Sequence, residues 1–442
     1  MQNEYDDAKH LLTEAKTQFQ SIGDQLGSAQ CLQGLGDISM MQNEYNDAKY
    51  LLTKAKTQFE SIGDQLGSAH CLQGLGNISM MQNEYDDAKQ LLTKAKTQFE
   101  SIGDQLGSTQ SLRNLGDISG MQNQYDDAKY LLTEAKTQFE SIGERLGPAQ
   151  CLQSLGNISS MQNKYDDAKY LLTEAKTQFE SIGERLGPAQ CLRGLGDISS
   201  MQHKYDDARY LLTEAKTQFE LLGVRLGSAQ CLQRLGDISR ILHECDGKQL
   251  LTEAKTQFES IGDQLGSAQC LRSLGDISRV QNQYDEAKYL LTEAKTRFES
   301  IGERLGPAQC LRSLGDISSM QNKYDDARYF LTVAQTQSES IGDHWLGSAQ
   351  CLRSLGNISR IQNKYDDAEY LLTEAKTQFE SIGYQLGFAE CLQSLGDTSM
   401  MQAKYDDAKK MYTEAQIQFE LIGDQSGSAE CLQRLDEIAR MG

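Results

Sequence analysis

Eleven thiols, a recurring pair of acids and a scatter of imidazoles are the groups from which this chain could build chemistry. Ten cysteines (Cys31, Cys71, Cys151, Cys191, Cys231, Cys270, Cys310, Cys351, Cys391 and Cys431) stand at one place in a recurring unit, which Ser111 fills once. Thiols form disulfides or hold zinc. Equivalent positions on neighbouring helix pairs, however, lie roughly 10 Å apart, beyond the ~7 Å that a disulfide spans between Cα atoms. No pair of cysteines or histidines falls at ligand spacing. The thiols are therefore expected to be small buried packing groups, with no metal and no cofactor. The acid pairs, such as Asp206-Asp207, recur at a helix start, where they complement the helix dipole. A general acid–base pair would need one asymmetric pocket instead. The histidines, His10, His70, His203, His243 and His344, differ in repeat position. The Leu-Gly-Asp glycines fall inside a helix and cannot cradle a phosphate. No catalytic residue is assigned, and the chain is read as not an enzyme.

The elements that must position these groups come in pairs. In the unit from Gly187 to Gly223, Cys191, Leu192, Leu195 and Ile198 mark one face of a first helix. Gly196 beside that face would let another helix approach closely. Tyr205, Ala208, Leu211, Leu212, Ala215, Phe219 and Leu222 make a longer apolar stripe on a second helix. Neither helix buries its stripe alone, but stacked copies do. The period is 40 residues from Met1 through Met41, Met81, Met121, Met161 and Met201. Eleven copies fit, and such a period means a solenoid or array. The second helix is predicted to end at Ser-Ile-Gly (Gly23, Gly63, Gly103), where glycine suits a left-handed cap. A loop such as Asp24-Gln25-Leu26-Gly27 follows, and the shorter first helix is predicted to start at Ser28 or at Pro148, Pro188 and Pro307. It ends near Met41-Gln42-Asn43, and the second helix starts around Tyr45.

Leu192-x-x-Leu195-Gly196, Tyr205-x-x-Ala208 and Ala215 resemble the tetratricopeptide repeat (TPR), whose usual period is about 34 residues. The 40-residue unit is similar to the repeats of Pins-type (Leu-Gly-Asn repeat) scaffolds, kinesin-light-chain-type proteins and fungal TPR arrays. Leu-Gly-Asn itself occurs at Leu75-Gly76-Asn77, Leu155-Gly156-Asn157 and Leu355-Gly356-Asn357. Leu192 replaces the usual first-helix aromatic, and the proline closing many shorter units is missing. The resemblance implies an all-α, right-handed TPR superhelix of antiparallel helix pairs, a single array over residues 1–442. An orphan second helix would occupy 1–26, ten pairs 27–426 and a capping helix 427–442. The final Leu435-Asp436-Glu437, with Arg434 and Arg440, gives a face that can meet water. The start has no such adaptation, which suggests an array truncated there or begun at a duplication edge.

Two copies are irregular. A 39-residue copy has Cys245-Asp246-Gly247 where others have Tyr-Asp-Asp-Ala, which predicts a late helix start with a local kink. In a 41-residue copy Ser338 replaces the core phenylalanine, and Trp345 is expected to fold back into the space.

The resemblance places a partner-binding groove on the first helix, opposite its core stripe. In the first full unit that face carries Gln33, Asp37 and Met40, beside Gln30 and Met41. Later copies offer Asn77, Met80, Arg113, Asn157 and Arg193, then Arg272, Arg279, Arg312, Arg353, Asn357 and Arg360. Methionine suits adaptable apolar contact near the start, and arginine suits carboxylate or phosphate further on. The alternative is that Arg193–Asp197, Arg272–Asp276 and Arg312–Asp316 are surface i, i+4 pairs. Tyr384 and Phe388 are expected to be exposed, so 353–388 is the favoured segment. The formal net charge is -20 and disfavours nucleic acid and anionic membranes. The polar start lacks a secretory signal, and no stretch approaches membrane-helix length. The expected protein is a cytoplasmic, monomeric scaffold for a protein or peptide with acidic residues. The alternative is the sensor region of a larger signalling protein of the fungal NTPase-switch type.

Overall fold

The computed structural model describes residues 2–341 and 346–441, which form 22 helices and no strand. Contacts group them into two compact units, Met1–Gly223 and Val224–Gly442. The first holds a lone helix, Gln2–Ser21, and then five pairs, from Gln25–Met41 with Tyr45–Ser61 to Leu186–Met201 with Tyr205–Leu221. The second holds five pairs, from Arg225–Ile241 with Gly247–Ser260 onward, and a last helix, Gln425–Met441. In each pair the first helix is called A and the second B.

In the first pair the two helices are equal in length, 17 residues each, and in the proline copies the first helix is the shorter by one residue. The predicted start at Ser28 is three residues late, because Asp24 is not in a loop but is the N-cap. Its carboxylate accepts from the Gly27 amide at 3.0 Å, which satisfies an otherwise orphan donor. In the proline copies Glu144 accepts from Leu146 N at 3.0 Å and from Gly147 N. Pro148 thus lies inside the first turn, where its missing N–H has no intrahelical partner to lose. B helices begin at Tyr45 and its equivalents with the acid pair in the first turn, as at Asp206 and Asp207. Between A and B, Asn43 takes φ 61°, and the Tyr45 hydroxyl donates to its Oδ1 at 2.9 Å. Gly23 takes φ 75° between B and A, so the left-handed glycine cap is as expected.

Each B stripe lies between its own A helix and the next. Ala48, Leu52, Ala55 and Phe59 are buried with Ala29 and Leu32 on one side and Cys71, Leu75 and Ile78 on the other. Burying each Leu or Phe contributes about 1.5–3 kcal/mol. Gly36 makes the A–B crossing possible, since a Cβ there would sit 2.8 Å from Leu52 Cγ.

The irregular copies keep this scheme. In the 39-residue copy the B helix starts late and runs only 14 residues, Gly247–Ser260. Gly247 takes the alanine slot, with Gly236 O and Arg240 N each 3.3 Å from where a Cβ would be. Ser338 is buried in the phenylalanine slot; Trp345 lies outside the described residues. In the last helix Asp436 is exposed where Gly396 is buried, and Leu432 is 47% exposed where Leu392 is fully buried.

Candidate binding face

Most of the positions that the sequence singled out lie half-buried on the A helices, and the structure links some of them sideways. Two ladders run from each A helix to the next within a unit. The first joins the Gln33-type position to the Gln30-type position one repeat on. Gln153 donates to Gln190 at 3.0 Å and Arg113 donates to Gln150. In the second unit Gln233 donates to Gln269 at 3.0 Å, Gln393 donates to Glu430 at 2.9 Å, and Arg353 pairs with Glu390. The second ladder ends on the acid or amide of Leu-Gly-Asp/Asn. Asn114 donates to Asn77 at 2.8 Å, while Ser273, Ser313 and Ser354 donate to Asp237, Asp276 and Asp316 at 2.7, 2.9 and 3.0 Å. At the same position Gly74 offers Asp37 no side chain.

These ladders decide which candidates are already engaged by a neighbour. Arg279 pairs with Asp276 at 3.5 Å, and Arg360 with Asp397 at 3.6 Å. Asp276 is thus paired with Arg279 rather than with Arg272, as the alternative reading had it. Arg113–Asp117 and Arg312–Asp316 approach only to 4.0 Å. The Arg193 guanidinium lies 5.9 Å from the Phe219 ring centroid. Asn157 has only glycine, Gly194, at the facing position, and the buried Asn357 Oδ1 has no partner. Gln33 is half-buried. Met40 and Met80 do not line an open groove, because each leans into the core beneath it. Met41 and Met81 are exposed beside them.

The segment 353–388 is likewise corrected. Phe388 is only 8% exposed and joins the core, with the Lys376 ammonium 5.7 Å from its ring. The helix starts at Gln385, so residue 388 falls in its first turn and faces inward. Tyr384 remains partly exposed against Phe379.

Burial sets the electrostatics. It raises the Asp117 carboxyl above the ordinary aspartate range, against the lowering effect of the Ser154 hydrogen bond and Arg113. It likewise raises Asp37, which His70 partly offsets. The Arg353 guanidinium is pushed down, first by burial and also by Arg312. The ten equivalent cysteines are buried, and burial pushes thiols such as Cys191, Cys270 and Cys351 up to about 12. A neutral thiol is neither nucleophile nor ligand. No group of three or more His, Cys, Asp or Glu among the described residues could hold a metal.

The B helices carry a feature that the sequence reading missed. Tyr130, Tyr170 and Tyr210 are 69–70% exposed in the first unit, and Tyr289, Tyr329 and Tyr370 are 66–69% exposed in the second. Tyr130 borders an open cleft of about 550 Å³ with Lys89, Leu115 and Asp127. The signal was present as a Tyr recurring five residues after the helix start, but it merges with the apolar stripe.

These helix pairs, glycine crossings and stacked cores give the chain the tetratricopeptide-type repeat fold. Neither a protein-family profile nor a curated protein sequence matches the chain. Solved structures do. A Rap protein complexed with competence and sporulation factor matches with a TM-score of 0.52 and 14% identity, over 75% of this chain and 98% of its own. A signal transduction ATPase with a tetratricopeptide repeat sensor, from Pyrococcus horikoshii, matches with a TM-score of 0.55 and 13% identity. That match covers 82% of this chain and 54% of the ATPase. A Rap conjugation gene regulator in complex with a Phr peptide matches with a TM-score of 0.51 and 15% identity, over 63% of this chain and 76% of its own. At these identities the likeness is one of fold. No described helix is long and apolar enough to cross a membrane.

Proposed function

We propose that the chain is a non-catalytic scaffold that binds a peptide or helical segment of a partner protein on its A-helix face. The carrying observation is the double ladder, which holds polar and cationic side chains in register across several successive repeats. A face ordered in advance loses little side-chain entropy when a ligand arrives. The same fold holds competence and sporulation factor in one Rap protein and a Phr peptide in another, which supports this reading. Thiols kept neutral in the core and acid pairs placed at helix starts accord with a role outside catalysis.

The test is photo-crosslinking in extract of the source cells. A crosslinking amino acid would replace Gln153 or Gln309 on the A face, and Tyr170 or Tyr329 on the B face. A partner captured from the A positions and absent from the B positions is expected. Capture from the B positions alone would overturn the assignment. A second reading, the sensor region of a larger signalling protein, draws on the ATPase match, in which a tetratricopeptide repeat sensor is part of a longer chain. A phosphate-loop motif in the genomic sequence flanking this reading frame would favour it.

A further inference from the structure

In the second unit the first ladder has a gap, and the gap is cationic. Gln233, Arg353 and Gln393 each complete a rung. Arg272 and Arg312, on consecutive A helices between them, do not. Asp276, the acid that could have neutralised Arg272, is held by Arg279 and Ser313. That leaves Arg272 without an ion-pair partner among the described residues, its Nε buried and unbonded. Arg312 has only Asp316 at 4.0 Å, and Asp316 already accepts from Ser354. Both arginines are half-buried on the A face. The expected rung partners, Gln309 and Gln350, are themselves half-buried.

We propose that Arg272 and Arg312 form a two-point site for an acidic peptide, each guanidinium taking one carboxylate. This rests on the A-face reading above and names its ligand class. Two half-buried guanidiniums, with acids held close by, suit single carboxylates spread along a chain. A dense polyanion would meet Asp276, Asp316 and a net charge of -20. Equivalent positions on neighbouring helices lie roughly 10 Å apart. A polyproline II segment brings residues i and i+3 onto one face about 9.3 Å apart. Acids three apart in an extended peptide therefore match the pair. In an α-helical ligand the matching spacing is i, i+7, about 10.5 Å.

The test uses the full chain and fluorescent synthetic peptides read by anisotropy. The probes are a Glu-Pro-Pro repeat, the same repeat with Gln for Glu, a helical peptide with Glu at i and i+7, and a single-stranded oligonucleotide. At least one acidic probe is expected to bind, more weakly as salt rises, with the Gln repeat failing. Arg272→Gln with Arg312→Gln is expected to weaken binding about tenfold or more. Arg304→Gln, the same charge change on an exposed residue near the start of an A helix, should leave it unchanged. Equal binding of the Glu and Gln repeats, binding of the oligonucleotide with the same arginine dependence, or indifference to the double substitution would each overturn the proposal. The Glu-against-Gln comparison needs no variant, so misfolding cannot mask the result. A partner that crosslinks at Gln153 or Gln309 yet ignores the double substitution would sink the acidic-peptide site and leave the A-face reading intact.

Discussion

Replacing Gly196 with alanine sets two known effects against each other, and the structure says which wins. Alanine is favoured over glycine within a helix by about 1 kcal/mol, so a purely local view predicts stabilisation. The added Cβ, however, would lie 2.8 Å from Leu212 Cγ, 3.0 Å from Leu212 Cδ2 and 3.4 Å from the Ala208 carbonyl oxygen. Carbon atoms prefer a separation of about 3.5–4.0 Å, so the helices must part by roughly 0.7 Å or Leu212 must leave its rotamer. Leu212 is fully buried in the B stripe and has nowhere to go. Overpacking of this kind costs about 1–3 kcal/mol. Because the nearest atom is the Leu212 branch carbon and its methyls are enclosed, the upper end applies. The expected net loss is about 2 kcal/mol. The assay is a thermal melt with hydrogen exchange across 205–221, for Gly196→Ala, Leu212→Ala and the double variant. Leu212→Ala alone should cost about 2–5 kcal/mol. The double variant should cost less than the sum by about 1 kcal/mol or more, since the second change removes the clash. A Gly196→Ala protein as stable as wild type, or strict additivity in the double variant, would refute the close-approach argument.

Three further outcomes follow from single features. Ala403 sits at φ 58° where most equivalents are asparagine; Ala403→Asn should stabilise by about 1 kcal/mol, read as a raised melting temperature. Asp117 has its folded carboxyl raised by burial, so the folded state holds the proton more tightly than the unfolded one. The ionised form costs stability as pH rises from the ordinary aspartate range through the folded value. Asp117→Asn should therefore gain on wild type between acid and neutral pH in parallel urea melts, and a constant difference would contradict the assignment. Tyr412, fully buried, donates to Asp397 at 2.7 Å; Tyr412→Phe should cost about 1–3 kcal/mol, measured by urea unfolding.

How much of this was legible beforehand depends on the range of the interaction. Repeat length, the glycine caps at Gly23 and its equivalents and the late start at Gly247 rest on contacts within one pair or on backbone φ, and the buried cysteines follow from the apolar stripe they share. The start of the A helix was misplaced because Asp24 caps it through a side chain, and a capping aspartate reads like any loop residue. Three residues of helix turn a side chain through about 300°, which is why Phe388 was assigned to solvent and lies in the core. Met40 and Met80 went wrong for a related reason. An A helix buries more than one stripe when helices flank it on several sides.

Periodicity alone determined that this chain is an array of helix pairs, since every turn repeats one apolar pattern too short to be buried by itself. The apolar stripe of each A helix also leaves the Gln33-type and Asp37-type side chains on the face opposite it. Only the tertiary structure decided which of those polar side chains are spent on one another. The ladder partners lie 36 to 38 residues apart and meet through the stacking of separate helices. Their pairing depends on side-chain direction across that stack, which no local spacing encodes. The arginines at 272 and 312 look identical to the one at 353 in the sequence. Glu390 stands across from the last where glutamine, Gln309 and Gln350, stands across from the other two.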